Sequence, residues 1–250
     1  MIMKKFFLTL ACVFGMSMTA SAEQTAAVML KHNSNITTFK PEQINDAIAA
    51  AENGDVIFLT AGDFPEFTIN KQISVRGSGM QTVIKGKINI DNPDVTLNDI
   101  FIGYLQVYSD GYIDVKSRVK GLKISQCRLN GGIDFNAITE DSYIDRCFIG
   151  IGSFRVFDIG RTYTEYVTVN GNTSSYARSY LQGLTVTNCC IDRVNGLENV
   201  YQDVSFINCY HYCPRKSVNI SLKRLSVLRF LKPFITHYFC NEYLCTKLTV

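Results

Sequence analysis

The sequence predicts an all-β protein, a single-stranded right-handed parallel β-helix with a short N-terminal capping helix. Three observations predict it: short strands recur about every 20–27 residues, their apolar residues align in two columns, and cysteines align in a third. One such repeat cannot bury its apolar face alone. Stacked repeats form a solenoid with a continuous core and strands about 4.8 Å apart, and we expect roughly seven coils.

Residues 1–22 have the features of a secretory signal peptide. Lys4 and Lys5 precede a short apolar run, and the sequence A-S-A at 20–22 matches a cleavage site. The run is too short to span a bilayer, so we expect no transmembrane segment in the mature chain. The signal predicts a secreted, periplasmic or cell-surface protein, and Cys12 leaves lipidation open as a minor alternative.

Charge divides the rest of the chain into a β-helix domain, 23–213, and an atypical tail, 214–250. The whole chain has a formal net charge of +3, to which residues 1–22 contribute +2 and the tail +6, so the domain has a net charge of about −5. An acidic domain argues against nucleic acid as a partner. The glycine-free tail has two interpretations: a basic segment at a membrane surface, or the product of a truncated or frame-shifted gene.

A short helix precedes the repeats. In "KPEQINDAIAAAENGD", Pro41 suits the first helical position, an apolar stripe runs from Ile44 to Ala51, and Gly54 ends the helix. At the start of a solenoid, such a helix covers the exposed strand edge of the first coil.

The strands of the repeats form two columns of alternating apolar residues. The first column consists of Phe67–Ile69, Ile88–Ile90, Ile113–Val115, Ile133–Phe135 and Phe157–Ile159. The second consists of Ile73–Val75, Val95–Leu97, Leu122–Ile124, Val167–Val169, Leu184–Val186 and Val204–Phe206, with a weaker member at Ile144.

A third column follows the second at a fixed distance. Its members are Ile100, Cys127, Cys147, Cys189 and Cys209, and the residues before them are Asp99, Gln126, Arg146, Asn188 and Asn208. We interpret the cysteines as buried thiols that pack as small apolar residues, because their spacing does not match disulfide or metal-ligand patterns. We interpret the polar residues as hydrogen-bonding ladders at turns.

Three aspartates occupy the centre of the first column: Asp114, Asp134 and Asp158. If their apolar neighbours point into the core, these carboxylates point outward and stack about 5 Å apart. The resulting repulsion is relieved by a raised pKa, by solvent, by a cationic neighbour or by a bound cation. Calcium suits such a ladder of oxygen ligands.

Cationic residues border this stripe. Lys116 lies two residues after Asp114 on the same face, and Arg161 follows Asp158. The offset between the two columns predicts that Arg178 lies one coil beyond Asp158. Three interpretations remain open: a solvated surface, a site that binds carbohydrate or cations without chemistry, and an active site.

The stretch 41–86 resembles the opening of the pectin-lyase-like superfamily. The resemblance consists of the helix ending in "NGD", the strand "VIFLTAG" and the pattern F-x-x-F-x-I-x-K-x-I-x-V-R-G-S-G-x-x-T-V-I-x-G. It implies the fold and not the activity, because the superfamily contains lyases, hydrolases, esterases and adhesins. The "GHG", paired "DD", "QDT", "DFIFG" and "WIDH" segments of its enzymes are absent.

Lyases of this superfamily hold calcium against an acidic substrate while an Arg or Lys removes a proton. By this resemblance, Asp114, Asp134 and Asp158 are candidate calcium ligands, Lys116 is a candidate substrate-binding residue, and Arg178 and Arg161 are candidate bases. The expected function is binding or acting on an acidic polysaccharide or cell-surface glycan. The alternatives are a non-catalytic glycan-binding protein and an inactive fragment, so whether the protein is an enzyme is left open.

Overall fold

The computed structural model describes residues 26–108, 111–150, 157–192, 194–195, 204–213, 237–240 and 243–248. Nearly all regular structure in these ranges is β-strand, and one short α-helix lies near the start. The predicted signal peptide, with Cys12, and most of the basic tail lie outside the described residues.

The chain begins with an antiparallel strand pair and a helix, and then winds into a solenoid. The opening elements are β1 (Val28–His32), β2 (Asn35–Phe39), a 3₁₀ turn (Pro41–Gln43) and α1 (Ile44–Ala50). Turn 1 consists of β3 (Val56–Leu59), β4 (Gly62–Phe64) and β5 (Phe67–Ile69). Turn 2 consists of β6 (Ser74–Gly77), β7 (Thr82–Ile84) and β8 (Ile88–Ile90). Turn 3 consists of β9 (Leu97–Asn98), β10 (Phe101–Gly103), β11 (Gln106–Val107) and β12 (Ile113–Val115).

The later turns repeat this order and include one inserted hairpin. Turn 4 consists of β13 (Val119–Lys120), β14 (Lys123–Ser125), β15 (Arg128–Leu129) and β16 (Ile133–Phe135). Turn 5 consists of β17 (Thr139–Asp145), β18 (Phe148–Ile149) and β19 (Phe157–Asp158). The hairpin is β20 (Thr162–Val169) and β21 (Asn172–Ser179), and turn 6 consists of β22 (Leu181–Thr187), β23 (Cys190–Ile191) and β24 (Val194–Asn195). Turn 7 begins with β25 (Val204–Ile207) and β26 (Cys209–Cys213), and β27 (His237–Cys240) and β28 (Tyr243–Leu248) follow.

Three parallel sheets form the walls of the solenoid. Sheet A contains β3, β6, β10, β14, β17, β22 and β25; sheet B contains β4, β7, β11, β15, β18, β23 and β26; sheet C contains β5, β8, β12, β16, β19 and β24. The six strands of sheet C define six complete turns, so the predicted all-β, parallel β-helix fold is confirmed. Strands β28 and β27 extend sheet B by antiparallel pairing.

Helix α1 caps the first turn, as predicted. Its Ile44, Ala47 and Ile48 are buried against the core. Asn45 accepts a hydrogen bond from the backbone N–H of Thr68 at 3.1 Å and thus satisfies part of the free edge of β5. No helix in the described part of the chain has the length and apolarity that a membrane crossing requires.

The first predicted column is confirmed as sheet C. Strands β5, β8, β12 and β16 pair in register, so that Ile69, Ile90, Val115 and Phe135 stack inside the solenoid. All four side chains are buried. Burial of these columns, one apolar layer per turn, supplies the main driving force for stacking the turns.

The second predicted column is correct in part. Sheet A stacks Val75, Ile102, Ile124, Ile144, Val186 and Phe206 in register, so Ile144 is a full member. The assignment of Val95–Leu97 is wrong, because Leu97 stacks on Val119 in a separate short column and Ile102 takes the place in sheet A. The assignment of Val167–Val169 is also wrong, because these residues lie in the inserted hairpin.

The cysteine column is a ladder of buried thiols on turns 4 to 7. Cys127, Cys147, Cys189 and Cys209 are buried, and none forms a disulfide. The residue of turn 3 in this column is Leu105 and not Ile100. The carbonyl of Leu105 accepts the N–H of Arg128 on the next turn, in the same way that the carbonyl of Cys127 accepts the N–H of Phe148. The predicted packing role of the cysteines is therefore confirmed, with one shift at the start of the column.

The thiols also hydrogen-bond the backbone at a sharp corner. Each Sγ lies 3.1–3.5 Å from the carbonyl oxygen two residues earlier, and Cys147 Sγ accepts the N–H of Cys127. The residues before the cysteines have a positive φ near 52°, which bends the chain between sheets A and B. Contact with the Cys147 thiol, together with burial, raises the pKa of Cys189 to about 12, which keeps its thiol protonated and unreactive at neutral pH.

Replacing Cys147 by Ala is expected to lower the free energy of unfolding by about 1–3 kcal/mol, because it removes a buried sulfur and the acceptor of the Cys127 N–H. Cys190→Ala, at a half-buried position beside the ladder, is the matched control and is expected to change it by less. Urea unfolding under reducing conditions measures both. Equal effects of the two substitutions would contradict a specific role for the ladder.

A column of glycines forms the corner between sheets B and C. Gly86, Gly111 and Gly131 lie on successive turns, and the turns approach so closely that a Cβ on Gly111 would lie 1.9 Å from the carbonyl oxygen of Gly86. A Cβ on Gly131 would meet the carbonyl oxygen of Gly111 at the same distance. Only glycine fits at this corner.

Candidate functional site

The candidate site lies at the corner between the end of sheet C and the start of sheet A. In turns 3 and 4 this corner is three residues long, 116–118 and 136–138, whereas in turn 5 it contains the whole hairpin β20–β21. In turn 2 the longer segment 91–96 forms an open groove of about 440 Å³ with residues 116–118. Corner loops on a rigid solenoid are suitable carriers of binding residues.

The aspartate column is confirmed. Asp114 pairs in register with Asp134, and Asp134 pairs with Asp158; the first two lie at the centres of β12 and β16, and Asp158 is the last residue of β19. The flanking apolar residues point into the core, so the carboxylates point outward, yet their side chains are only 7%, 12% and 20% exposed. Other polar side chains cover them.

Arg161 joins the carboxylates of two turns. Its Nη2 lies 3.6 Å from Asp134 Oδ2, and its Nε lies 3.6 Å from Asp158 Oδ2. Arg161 Nη1 donates a hydrogen bond to Asn136 Oδ1, and Asn136 Nδ2 donates to Asp114 Oδ1 at 2.7 Å. Repulsion between the stacked carboxylates is therefore relieved by a cationic neighbour, one of the four means considered from the sequence.

Lys116 completes this network at its other end. Its Nζ lies 3.9 Å from Asp114 Oδ2 and also borders the groove formed with residues 91–96. The structure thus brings together five of the six predicted site residues: the three aspartates, Lys116 and Arg161.

Calcium does not fit this arrangement. Among the described residues, no three His, Cys, Asp or Glu side chains converge on one point that could hold a metal ion. The guanidinium of Arg161 already contacts the Asp134 and Asp158 carboxylates, which a calcium ion would need as ligands. Calcium binding stays a prediction from the sequence, and the position of Arg161 disfavours it.

Arg178 does not lie in the aspartate column. The residue that pairs with Asp158 in turn 6 is Asn195, so the position assigned to Arg178 from the column offset is wrong. Arg178 instead lies in β21, and its Nε donates to Glu165 Oε2 across the hairpin at 2.7 Å. This hydrogen bond and the charge of Glu165 raise the pKa of Arg178, the opposite of what a catalytic base requires.

A row of cations, which the sequence analysis did not identify, runs along the third and fourth turns. Lys116 is followed by Arg118, Lys120 and Lys123, and Arg161 approaches from turn 5; we call these five residues the cation row. The signal in the sequence was "VKSRVKGLK", in which cations alternate with small or apolar residues that face inward. Arg118 pairs with Glu140 at 2.5 Å, Lys120 with Asp141 at 3.3 Å and Lys123 with Asp99 at 3.8 Å.

The cations form the outer layer of this surface and several of their partners the inner layer. The side chains of Lys116, Arg118 and Arg161 are 43%, 53% and 40% exposed. The carboxylates under them, Asp114, Glu140 and Asp134, are 7%, 21% and 12% exposed. At these three residues an approaching ligand meets the cation before its carboxylate partner, whereas the partners of Lys120 and Lys123, Asp141 and Asp99, are 68% and 79% exposed.

The hairpin was also missed. Its tip, Asn170-Gly171, has positive φ at both residues, 50° and 76°, as a two-residue type I′ turn requires. An Asn-Gly pair between alternating residues is the strongest short-range signal for a hairpin, and it stands in the sequence as "TYTEYVTVNGNTSSYARS".

A second polar network lies on the outer face of sheet A. Asp145 accepts hydrogen bonds from Thr187 Oγ1 at 2.8 Å, Asn188 Nδ2 at 3.0 Å and Arg146 Nε at 2.6 Å. Burial raises the pKa of Asp145, but these three hydrogen bonds outweigh it and hold the pKa below the usual value. Because Asn188 also accepts from Asn208 Nδ2, the predicted ladder of polar residues is present on turns 6 and 7.

Asp145 is expected to make stability depend on pH in the acid range. Because its pKa is lower in the folded state, its contribution is complete above the unfolded pKa, about 3.9, and is lost as the pH falls through the folded value. The difference in unfolding free energy between the wild type and Asp145→Asn should therefore shrink below about pH 4. Urea unfolding of both proteins from pH 3 to pH 7 measures it, and a constant difference would contradict the assignment.

Comparison of the chain with protein-family models, curated proteins and solved structures finds no match. The parallel β-solenoid of about six turns is consistent with the pectin-lyase-like fold.

Proposed function

We propose that this protein is exported and binds an acidic polysaccharide on the cation row without cleaving it. We also propose that the solenoid belongs to the pectin-lyase-like superfamily, on the resemblance over residues 41–86. The observation that supports binding is the layered charge at the corner between sheets C and A: exposed Lys116, Arg118 and Arg161 lie over shielded carboxylates.

The inner carboxylates hold the side chains of the cation row in positions from which they can contact a polyanion. They restrict the long cationic side chains before a ligand arrives, so less side-chain entropy is lost on binding. Arg118 and Arg161 have five N–H donors each and use only some of them in the contacts described. The remaining donors suit carboxylates on a sugar chain, which arginine binds in a bidentate manner.

Binding without cleavage is favoured because neither arginine that the sequence suggests as a base is suited to removing a proton. Arg178 lies outside the column and has a raised pKa. Arg161 contacts Asp134, Asp158 and Asn136 at once, which fixes it as part of the network. We therefore expect binding to be independent of calcium.

Neutralising Arg118 and Lys120 together, as Arg118→Gln/Lys120→Gln, should weaken binding to polygalacturonate by about tenfold and flatten its dependence on salt. Lys85→Gln is the matched control, because Lys85 is an exposed cation that pairs with Asp63 and lies at the corner between sheets B and C, away from the cation row. Affinity gel electrophoresis at several salt concentrations measures both variants.

Two outcomes would overturn the proposal. Wild-type protein that binds no acidic polysaccharide, or a Lys85 variant that loses as much affinity as the double variant, would remove the cation row as the site. Absorbance from unsaturated uronates during incubation with polygalacturonate would show cleavage, and so contradict the non-catalytic part.

A further inference from the structure

The hairpin β20–β21 is an insertion at the edge of the cation row. It starts directly after Arg161 and ends just before Tyr180, whose N–H donates to the carbonyl of Arg161 at 3.1 Å. Tyr180 still belongs to turn 6, since its carbonyl accepts the N–H of Thr139 at 2.7 Å. The rings of Tyr163 and Tyr180 lie 5.3 Å apart and fix the base of the hairpin to the solenoid.

The two faces of the hairpin differ in chemistry. Opposite residues of an antiparallel pair share a face, and one face contains the ion pair Arg178–Glu165 with Tyr176. The other face has no charged side chain, and we call it the threonine face. Its exposed residues are Thr162, Thr164, Tyr166, Thr168, Thr173, Ser175 and Ala177, whereas Ser179 at its base is buried.

The threonine face has the features of a recognition surface for uncharged sugars. Tyr166 stands among hydroxyl side chains and is 72% exposed, a large aromatic residue presented to solvent. Tyrosine gives a rigid contact area, and small hydroxyl residues give adaptable hydrogen bonds, the combination used by antibody binding loops. Sugar rings present C–H groups on their faces and hydroxyls at their edges, which match both. A face without cations offers carboxylates no charge attraction, although its hydroxyls can still donate hydrogen bonds to them.

We infer that the threonine face binds uncharged sugar rings of the polysaccharide whose carboxylates the cation row binds. This inference rests on the proposed function and narrows it to acidic polysaccharides that also contain uncharged sugars. Arg161 belongs to the cation row and the hairpin follows it directly in the chain, so the inference requires one sugar chain to contact both surfaces. The protein then prefers an alternating polymer to one in which every sugar carries a carboxylate.

The test compares hyaluronan, in which a uronate alternates with an uncharged sugar, with polygalacturonate, in which every sugar is charged. We expect the wild type to bind hyaluronan more tightly. Tyr166→Ala should lower the affinity for hyaluronan by about tenfold and leave that for polygalacturonate within about twofold. Tyr176→Ala, on the opposite face, is the matched control and should change neither.

A second variant removes the hairpin while keeping the turn. Because Arg161 and Tyr180 are hydrogen-bonded to each other, Asn-Gly in place of residues 162–179 closes the chain with a tight turn. This variant should lose the preference for hyaluronan and keep the salt dependence of the wild type.

The outcomes separate the two proposals. Hairpin variants that keep the wild-type preference, or a loss caused by Tyr176→Ala instead of Tyr166→Ala, would overturn this inference and leave the cation row standing. A wild type that binds neither polymer would overturn both.

Discussion

Gly111→Ala is expected to destabilise the protein by more than about 4 kcal/mol, the largest effect of any single methyl group discussed. The added Cβ would lie 1.9 Å from the carbonyl oxygen of Gly86 and 2.8 Å from a side-chain carbon of Val107. The first contact is with backbone of the neighbouring turn, which cannot rotate away as a side chain can. Relief requires two turns to separate, and separation would break sheet pairing on both sides of the corner.

Gly54→Ala separates this steric effect from ordinary glycine strain. Gly54 has φ of +94°, yet an added Cβ there would meet no atom within 4 Å. That substitution should cost only about 1–2 kcal/mol of backbone strain. Thermal unfolding should therefore rank the wild type above Gly54→Ala and Gly54→Ala far above Gly111→Ala. Similar losses for the two variants would contradict the close stacking of turns at this corner.

The sequence predicts the sheet C column and the cysteine ladder because both keep a simple period. Asp114, Asp134 and Asp158 each stand between two core residues, and a side chain that alternates in a strand is placed by pattern alone. The cysteines follow a positive-φ corner that recurs on every turn from the third, so they keep their alignment from the fourth turn onward. Where the turns stack regularly, the spacing of residues in the sequence is enough to predict such columns.

The errors arise where one turn has a different length from its neighbours. Ile100 follows Asp99, which has φ of 51° and resembles the corner residue before a cysteine, although Tyr104 occupies that corner in turn 3. Similarly, Val167–Val169 and Arg178 were placed by an offset that the inserted hairpin interrupts. When the spacing between columns is extended across an insertion, residues are assigned to the wrong turn of the solenoid. The Asn170-Gly171 turn is the feature of the sequence that indicates this insertion.

The site could be predicted only in part. Asp114, Asp134, Asp158, Lys116 and Arg161 are close together in the chain or in register, so spacing brings them together. The role of Arg118 depends on its ion pair with Glu140, which lies on the next turn and is partly covered. The spacing of residues in the sequence does not indicate which acidic side chains are covered and which are exposed. The contrast between exposed cations and shielded carboxylates required the structure.

This layered arrangement makes Arg161 a central residue of the network, because it contacts two stacked carboxylates and the amide that reaches the third. Asn136 is uncharged, so the two ends of the network differ in their ion pairs: Lys116 pairs with Asp114, and Arg161 pairs with both Asp134 and Asp158. Loss of Arg161 would therefore remove an ion pair from two neighbouring carboxylates, whereas loss of Lys116 would remove one from a single carboxylate.

Arg161→Ala is accordingly expected to lower the free energy of unfolding by about 2–3 kcal/mol, less than for a fully buried pair because Arg161 is partly exposed. In a domain of this size the unfolding temperature should fall by roughly 5–10 °C. Arg178→Ala is the matched control, since Arg178 forms one exposed pair with Glu165, and it should cost less than about 1 kcal/mol. Differential scanning fluorimetry of both variants measures the contrast.

Calcium provides the second measurement on the same variant. With the guanidinium gone, Asp134 and Asp158 lose the cation that contacts both carboxylates, and two adjacent carboxylates suit an oxygen-binding divalent ion. Adding calcium should therefore raise the unfolding temperature of Arg161→Ala and leave that of the wild type unchanged. A wild type that calcium stabilises as much as the variant would show that Arg161 does not occupy the place of a cation, and would restore the calcium site predicted from the sequence.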